Sequence, residues 1–348
     1  MSFREHMKKS YPNVLVLGIV PSLTWQVARC LKRAGGAPAI LAWHAFSPIT
    51  LTPDCRRYIS WSKVHKTGAM LDLSALDQVR DTCRRRAIDI VVAADYDTAL
   101  LLAQCPPGGG IPRAAVPDAA TIATFNNKWT LSRLLEQIGL PYPDSAYAST
   151  PQALLATDLR FPIITKPLDK WASVGFEIHP SRAALERTVA RGTLRSGYPL
   201  IAQTHVPGWD VGASFLARHG RLAAYSMFEH KRRGERIFFE DRRVRAYLEQ
   251  FIAATRYHGV GHIDTRYDPV RDQYRILELN PRFWASLLYA ANAGINYPDL
   301  LVRLDQWDQR GVSQAHARKI TLPPYERAMA LTNRWFSIGY EKVTRAKL

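Results

Sequence analysis

Cysteine is scarce. Cys30, Cys55, Cys83 and Cys105 stand singly, and no two of them form a C-x-x-C pair. That excludes a zinc knuckle and a dense disulfide framework, and it suits a reducing compartment. Long apolar runs are also missing. Val14–Val20 has the length of a buried strand, well short of the ~18–20 residues a membrane helix needs. The first nine residues carry charge but no apolar stretch of signal-peptide length, so a cytoplasmic protein is expected. Two motifs are absent as well. The turn Gly18-Ile19-Val20-Pro21-Ser22 places a proline and branched residues where a dinucleotide site needs glycines. Neither Ser214 nor Ser286 lies in a G-x-S-x-G elbow, which leaves a hydrolase unsupported. Acidic residues are few, 30 against 47 lysines and arginines, for a net charge of +17. Such an excess fits nucleic acid, an anionic substrate such as a nucleotide, or simply a solvated basic surface.

What is present is ordinary globular material. With 348 residues, 47% of them hydrophobic, the chain is long enough for two or three compact units. Asn13–Gly18 reads as a parallel strand buried on both faces, followed by a helix that Ser22 caps and that runs to Arg33. An apolar stretch at Pro38–Trp43, a helix at Leu76–Arg86 and a strand at Ile88–Ala93 continue the alternation. An open parallel α/β sheet is therefore expected over the first ~120 residues. Asn126-Asn127-Lys128 then opens a helix that stops at Gly139. Phe161–Pro167 and Leu200–Gln203 read as strands, with a helix near Arg182–Ala190 capped by Ser181. Val211–Leu216 and Leu222–Phe228 can pair about His219-Gly220, and Val260–Tyr267 can pair with Tyr274–Leu279. There is no internal repeat and no low-complexity tract.

The most informative run is Ile276-Leu277-Glu278-Leu279-Asn280-Pro281-Arg282-Phe283. In a strand, Glu278 and Asn280 point to one face. A carboxylate and a carboxamide side by side are hard oxygen donors of the kind that hold Mg²⁺ while phosphates complete its shell. Asp264, on the preceding strand, can add a third oxygen. Glu278 lies among apolar residues, where an acid is costly unless paired or metal-bound. Arg282, just beyond, can grip a carboxylate or phosphate with two prongs. His258 and His262 have a zinc spacing only on a helix, and Gly259 and Gly261 argue against a helix there.

Glu278-Leu279-Asn280-Pro281-Arg282, followed by Ala293-Gly294-Ile295-Asn296-Tyr297-Pro298, resembles the metal-binding end of the ATP-grasp superfamily, and its carboxylate–amine ligases in particular. Four further elements stand in that superfamily's order: Asn127-Lys128, Phe161–Pro167, Gln203 with Pro207-Gly208-Trp209-Asp210, and Gly261-His262-Ile263-Asp264. The resemblance covers roughly residues 12 to 305. It implies an N-terminal open parallel α/β domain (1–120), a small lid subdomain (121–204), a large subdomain with the metal site (205–310) and a C-terminal tail (311–348). It matches Lys128 and Lys166 to lysines that contact nucleotide phosphates. Gln203 and Thr204 fall at the adenine hinge, and Asp210 at the acid that reaches the ribose. Asp264, Glu278 and Asn280 match the Mg²⁺ ligands, with Mn²⁺ as a substitute. Arg282, with Lys231 and Arg233, matches cations near the transferred phosphate. Two positions depart from the pattern: the loop 168–175 has one glycine and a Trp171 where the superfamily is glycine-rich, and Thr204 stands where glutamate is common.

The activity implied is ligation: a carboxylate attacks the γ-phosphorus of ATP, and an amine displaces phosphate from the acylphosphate. The partners implied are a small carboxylate and a small amine, with a homodimer as a family expectation and neither membrane nor nucleic acid expected. Two alternatives stay open: phosphorylation or carboxylation without amide formation, and a basic nucleotide- or RNA-binding protein without catalysis. Around Lys231–Arg245, seven cations stand with three acids, a run that could line an anionic cleft, bind nucleic acid or remain solvated. Trp307, Trp335 and Phe336 lie in the C-terminal part, where packing is the ordinary role of aromatics.

Overall fold

The computed structural model describes residues 11–42, 47–61, 66–67, 70–106, 108–170, 174–231, 234–306 and 311–333. Arg233, Trp171, Trp307, Trp335 and Phe336 lie outside the described residues.

The first sheet is all parallel. Its strands are β1 (Val14–Gly18), β2 (Ala39–Ala42), β3 (Arg57–Ser60) and, after a short pair β4 (Lys66–Thr67) and β5 (Met70–Leu71), β6 (Ile90–Ala93). They line up as β3-β2-β1-β6. β1 is buried at all five positions, as its unbroken apolar run requires when both sheet faces are covered. The covering helices are α1 (Pro21–Arg33), α2 (Ala75–Arg86) and α3 (Tyr96–Ala103). Helix α1 starts two residues earlier than a cap at Ser22 would place it. Ser22 does not cap it: the N-cap is Val20, with no side-chain cap, and Pro21 fills the first turn, where its missing N–H costs nothing. Gly18 is required at the strand end because a Cβ there would lie 1.8 Å from Thr24 Oγ1.

Strand order reverses between β2 and β6 around β1, which makes the carboxyl ends of β1 and β6 a switch point. Asp95, 2% exposed, organises that end. Its Oδ2 accepts from the N–H groups of Ile19 (2.5 Å) and Val20 (2.9 Å), while Oδ1 accepts from Thr98 N–H at the start of α3.

Helices α4 (Ala119–Asn126) and α5 (Lys128–Gln137) lead into a second sheet made of β7 (Ser145–Ala148), β8 (Ile163–Pro167), β9 (Glu177–His179) and β10 (Leu200–Thr204), ordered β7-β10-β8-β9. Asn127 caps α5 by accepting from Trp129 N–H, which places Lys128 at the helix start. One face of this sheet packs Ile163, Leu200 and Ala202 with Leu154 of α6 (Pro151–Leu155) and Leu185 of α7 (Arg182–Ala190). Alternation sends Ile164, Lys166, Ile201 and Gln203 to the opposite face, where register sets Lys166 beside Ile201 and Gln203 beside Ile164.

The third sheet holds β11 (Trp209–Arg218), β12 (Arg221–His230), β13 (Arg236–Phe239), β14 (Gly259–Asp268) and β15 (Gln273–Asn280), backed by α8 (Arg242–Thr255). Helices α9 (Leu287–Asn292) and α10 (Tyr297–Val302) come next. Both hairpins read from the sequence are present. The segment expected to be a tail is in part strand: β16 (Ser313–Gln314) pairs with β12 and β17 (Arg318–Ile320) with β13. Beyond β17, Glu326, 2% exposed, ties the chain back to the first domain and to α9 by accepting from Arg29, Arg33 and Asn292. Strands of two or three residues carry no readable alternation, which is why the sequence shows no regular element there. All four cysteines are free, and among the described residues no helix is long and apolar enough to cross a membrane.

Candidate active site

Register builds the centre of the site. In the β14–β15 pair, His262 stands opposite Asn280 and Asp264 opposite Glu278, so alternation puts all four on one face while Ile263 and Leu279 enter the core behind. The register shifts between Asp264 and Thr265, a bulge of the kind that re-aims side chains beside functional sites. Asn280 Nδ2 donates to Asp264 Oδ2 at 3.2 Å, and Arg282 Nη2 donates to Asn280 Oδ1 at 2.9 Å. Arg282 Nη1 is anchored on the Phe283 carbonyl at 2.6 Å. The apolar neighbours of Glu278 suggest a buried acid; its side chain is instead 25% exposed, and that of Asp264 is 42% exposed. Both side chains thus keep access to solvent.

Two lysines reach this centre from other elements. Lys128, 5% exposed, places Nζ 3.3 Å from Glu278 Oε2 and donates to the Lys170 carbonyl at 2.6 Å. Lys166, 8% exposed at the end of β8, donates to the Leu277 carbonyl at 3.4 Å. Burial, reinforced by Lys128 and opposed by Glu278 and Asp264, pushes the Lys166 ammonium down to about 8. Partial desolvation alone would raise the Asp264 carboxyl, but His262, His230 and Arg282 outweigh it and hold the group below its ordinary value. Burial also lowers the Arg282 guanidinium against the pull of Glu278, Asp95, Asp264 and Asp97. Ala93 and Ala99 line one small cavity with Pro281 and Arg282, which sets the switch-point end of the first sheet beside this centre.

The donor set suits a hard divalent cation: two carboxylates side by side and a carboxamide next to them, whose oxygen here accepts from Arg282, with solvent access for further oxygens.

The second sheet supplies a different environment. Gln203, 2% exposed, donates from Nε2 to Ser145 Oγ at 2.8 Å, while its Oε1 is buried without a partner among the described residues. Thr204 Oγ1 is buried and equally unpartnered, and its N–H donates to the Asp144 carbonyl. Buried polar atoms without partners are rare and point to a missing ligand or water. Asp210 accepts from Arg266 Nη1 at 2.6 Å.

Lys231 pairs with Glu229, and the structure does not draw it toward Asp264 or Glu278. Much of the basic run around it is locally neutralised: Arg243 binds Asp241 and Asp272, and Arg245 binds Glu249. Arg236 stacks 4.9 Å over Tyr289. Two residues of the site do not stand out in the sequence. Asp95 acts across 76 positions of chain, which no local pattern reveals. His262 suggests only a zinc ligand by its spacing from His258; its place two residues before Asp264 on one strand is the signal that ties it to this centre.

A parallel α/β sheet followed by a four-stranded antiparallel sheet and a larger, mostly antiparallel sheet is the architecture of the ATP-grasp fold. Solved structures with this architecture include the L-amino acid ligase of Bacillus licheniformis, at 18% identity and TM-score 0.62 over 85% of this chain and 74% of that one. The N5-carboxyaminoimidazole synthetase of Staphylococcus aureus, complexed with ADP, is similar at 14% identity and TM-score 0.67 over 89% and 81% of the two chains. The biotin carboxylase domain of the Hydrogenobacter thermophilus 2-oxoglutarate carboxylase, in complex with MgADP, ADP and bicarbonate, gives 14% and 0.65 over 89% and 73%. A D-alanine–D-alanine ligase of Gluconobacter oxydans is 28% identical over 190 residues, a match spanning 48% of this chain and 62% of that protein. No protein-family model matches the chain.

Proposed function

We propose that this protein is an ATP- and Mg²⁺-dependent ligase that activates a small carboxylate as an acylphosphate and joins it to an amine, releasing ADP and phosphate. The observation that carries the reading is the convergence of Lys128, Lys166 and Arg282 on Asp264, Glu278 and Asn280 from three separate parts of the fold. Three cations beside three oxygen donors answer the demand of phosphoryl transfer to a carboxylate, where two anions must be brought together. The relatives include ligases and proteins solved with ADP or MgADP, which supports the same nucleotide here.

In this reading Asp264, Glu278 and Asn280 hold Mg²⁺, which when bound neutralises phosphate charge. Lys128 and Lys166 bind phosphate oxygens, with Lys166 taking up or keeping its proton as they approach. Gln203 Oε1 and the Thr204 hydroxyl meet the adenine edge, and Asp210 a ribose hydroxyl. Arg282 orients the carboxylate undergoing activation. The acceptor crevice lies at the carboxyl ends of β1 and β6, around Val20–Trp25 and Asp95–Thr98. The chain divides into an α/β domain (1–120), a lid (121–204), a large subdomain (205–310) and a C-terminal segment (311–348).

Hydroxylamine trapping tests this. With ATP, Mg²⁺ and pools of amino acids and other small carboxylates, hydroxylamine replaces the unidentified amine. The expected result is a hydroxamate from one acid, with stoichiometric ADP. ADP release that depends on a carboxylate but never yields hydroxamate would contradict the acylphosphate reading.

A further inference from the structure

His262 is 5% exposed, and its surroundings fix one ring orientation. The imidazole lies between Phe228 and Trp284, nearly parallel to both, at centroid distances of 5.9 and 5.3 Å and interplanar angles of 14° and 15°. Next to it is Gly212, where a Cβ would come within 2.9 Å of His262 Cε1 and 2.6 Å of Phe228 Cζ. The missing side chain at 212 is what lets the ring sit there. Ser214 Oγ lies 2.8 Å from Nδ1, and Tyr297 OH donates to the Ser214 carbonyl and is hydrogen-bonded to Ser226 Oγ, fixing that strand segment in turn.

The far nitrogen, Nε2, lies 3.3 Å from Asp264 Oδ1. An ionised carboxylate only accepts, so the proton on this edge belongs to Nε2, and in the neutral ring Nδ1 then accepts from the serine hydroxyl. Asp264 is then gripped at both oxygens, by His262 at Oδ1 and by Asn280 Nδ2 at Oδ2. A histidine needed only to fill space would not require an aligned serine, two flanking rings and a glycine against its edge.

We propose that His262 is a positioning residue whose Nε2–H, aimed by Ser214 and the flanking rings, holds the Asp264 carboxylate in the orientation that ligates the divalent cation. The proposal rests on the ligase reading and adds to it a named support for one metal ligand. Partners that orient a ligating group commonly contribute about 10–100-fold in metal affinity.

The test reads binding rather than turnover. Calorimetry with ADP, at Mg²⁺ concentrations from zero upward, gives the cation concentration at which half of the Mg²⁺-dependent gain in ADP affinity is reached. In His262→Leu that concentration is expected to rise about 10–100-fold, with metal-free ADP affinity unchanged. His262→Gln, which keeps a donor near Asp264, is expected to recover most of the loss. An unchanged Mg²⁺ requirement in His262→Leu would overturn the proposal, as would an equal fall in metal-free ADP affinity. Should His262→Leu fail to unfold cooperatively, Ser214→Ala removes only the bond at Nδ1. It is expected to raise the requirement by a smaller factor, and no change there overturns the proposal too. Wild-type protein that binds no ADP would sink the ligase reading and this inference together; wild-type protein with Mg²⁺-dependent binding that His262→Leu leaves intact would sink this inference alone.

Discussion

Glu278→Gln is expected to keep the fold and to lower ATP-dependent turnover about 10³-fold, the equivalent of roughly 4 kcal/mol of transition-state stabilisation. The side chain is partly exposed at the open face of β15, and glutamine has the same size, so the core behind it is undisturbed. What is lost is one negative charge among three oxygen donors, together with the ion pair to Lys128 at 3.3 Å. The two losses act in opposite senses on nucleotide binding. Without Mg²⁺, a lysine relieved of its carboxylate partner should bind ADP at least as well as before. With Mg²⁺, the gain in affinity should largely disappear. ADP release and calorimetry on the same preparation separate these effects, and a variant with wild-type turnover would remove Glu278 from the metal site.

Lys166→Met is expected to weaken ADP binding about 10- to 100-fold, the range for losing a hydrogen bond to a charged group, and to make the unliganded protein more stable at neutral pH. The second effect arises from the ammonium's depression from 10.5 to about 8, caused first by burial and then by Lys128. Between about 8 and 10.5 the unfolded chain binds more protons than the native one, so wild-type stability rises with pH across that window. Below it, the cost of a buried charge is borne in full, and methionine removes that cost. Nucleotide binding runs the other way. As pH rises through about 8, wild-type Lys166 loses its proton and ADP affinity should fall, with net proton uptake on binding near that pH. Melting curves and ADP titrations from neutral pH to beyond the ordinary lysine range check both signs. A Lys166→Met variant with the same pH-dependent affinity as wild type would show that another group is responsible.

How much can be read from the sequence varies with the range of the interaction. Alternation within a strand is local, so the buried run of β1, the two hairpins and the shared face of Glu278 and Asn280 are all legible. The pairing of Asp264 with Glu278 comes with the hairpin once its turn is placed. Lys128 is different: it meets Glu278 from the start of a distant helix, and only the resemblance, not periodicity, suggests that the two belong together. Ser22 reads as a cap because serine favours that position, but Pro21 begins the helix two residues sooner and leaves no capping role for its hydroxyl. His262 is legible as a neighbour of Asp264. Its ring orientation is not, because Gly212, Ser214, Phe228 and Trp284 come from other elements.

Acyl transfer through phosphate leaves an isotopic trace, and that is the most direct measurement of the proposed chemistry. Once trapping has named the acid, it can be supplied with both carboxylate oxygens as ¹⁸O, together with ATP, Mg²⁺ and an amine. Attack on the γ-phosphorus forms a bond from one labelled oxygen, and displacement by the amine breaks the carbon–oxygen bond on the other side of it. Released phosphate carrying one ¹⁸O per turnover is the expected result. Phosphate without label, alongside formation of the amide, would contradict an acylphosphate intermediate.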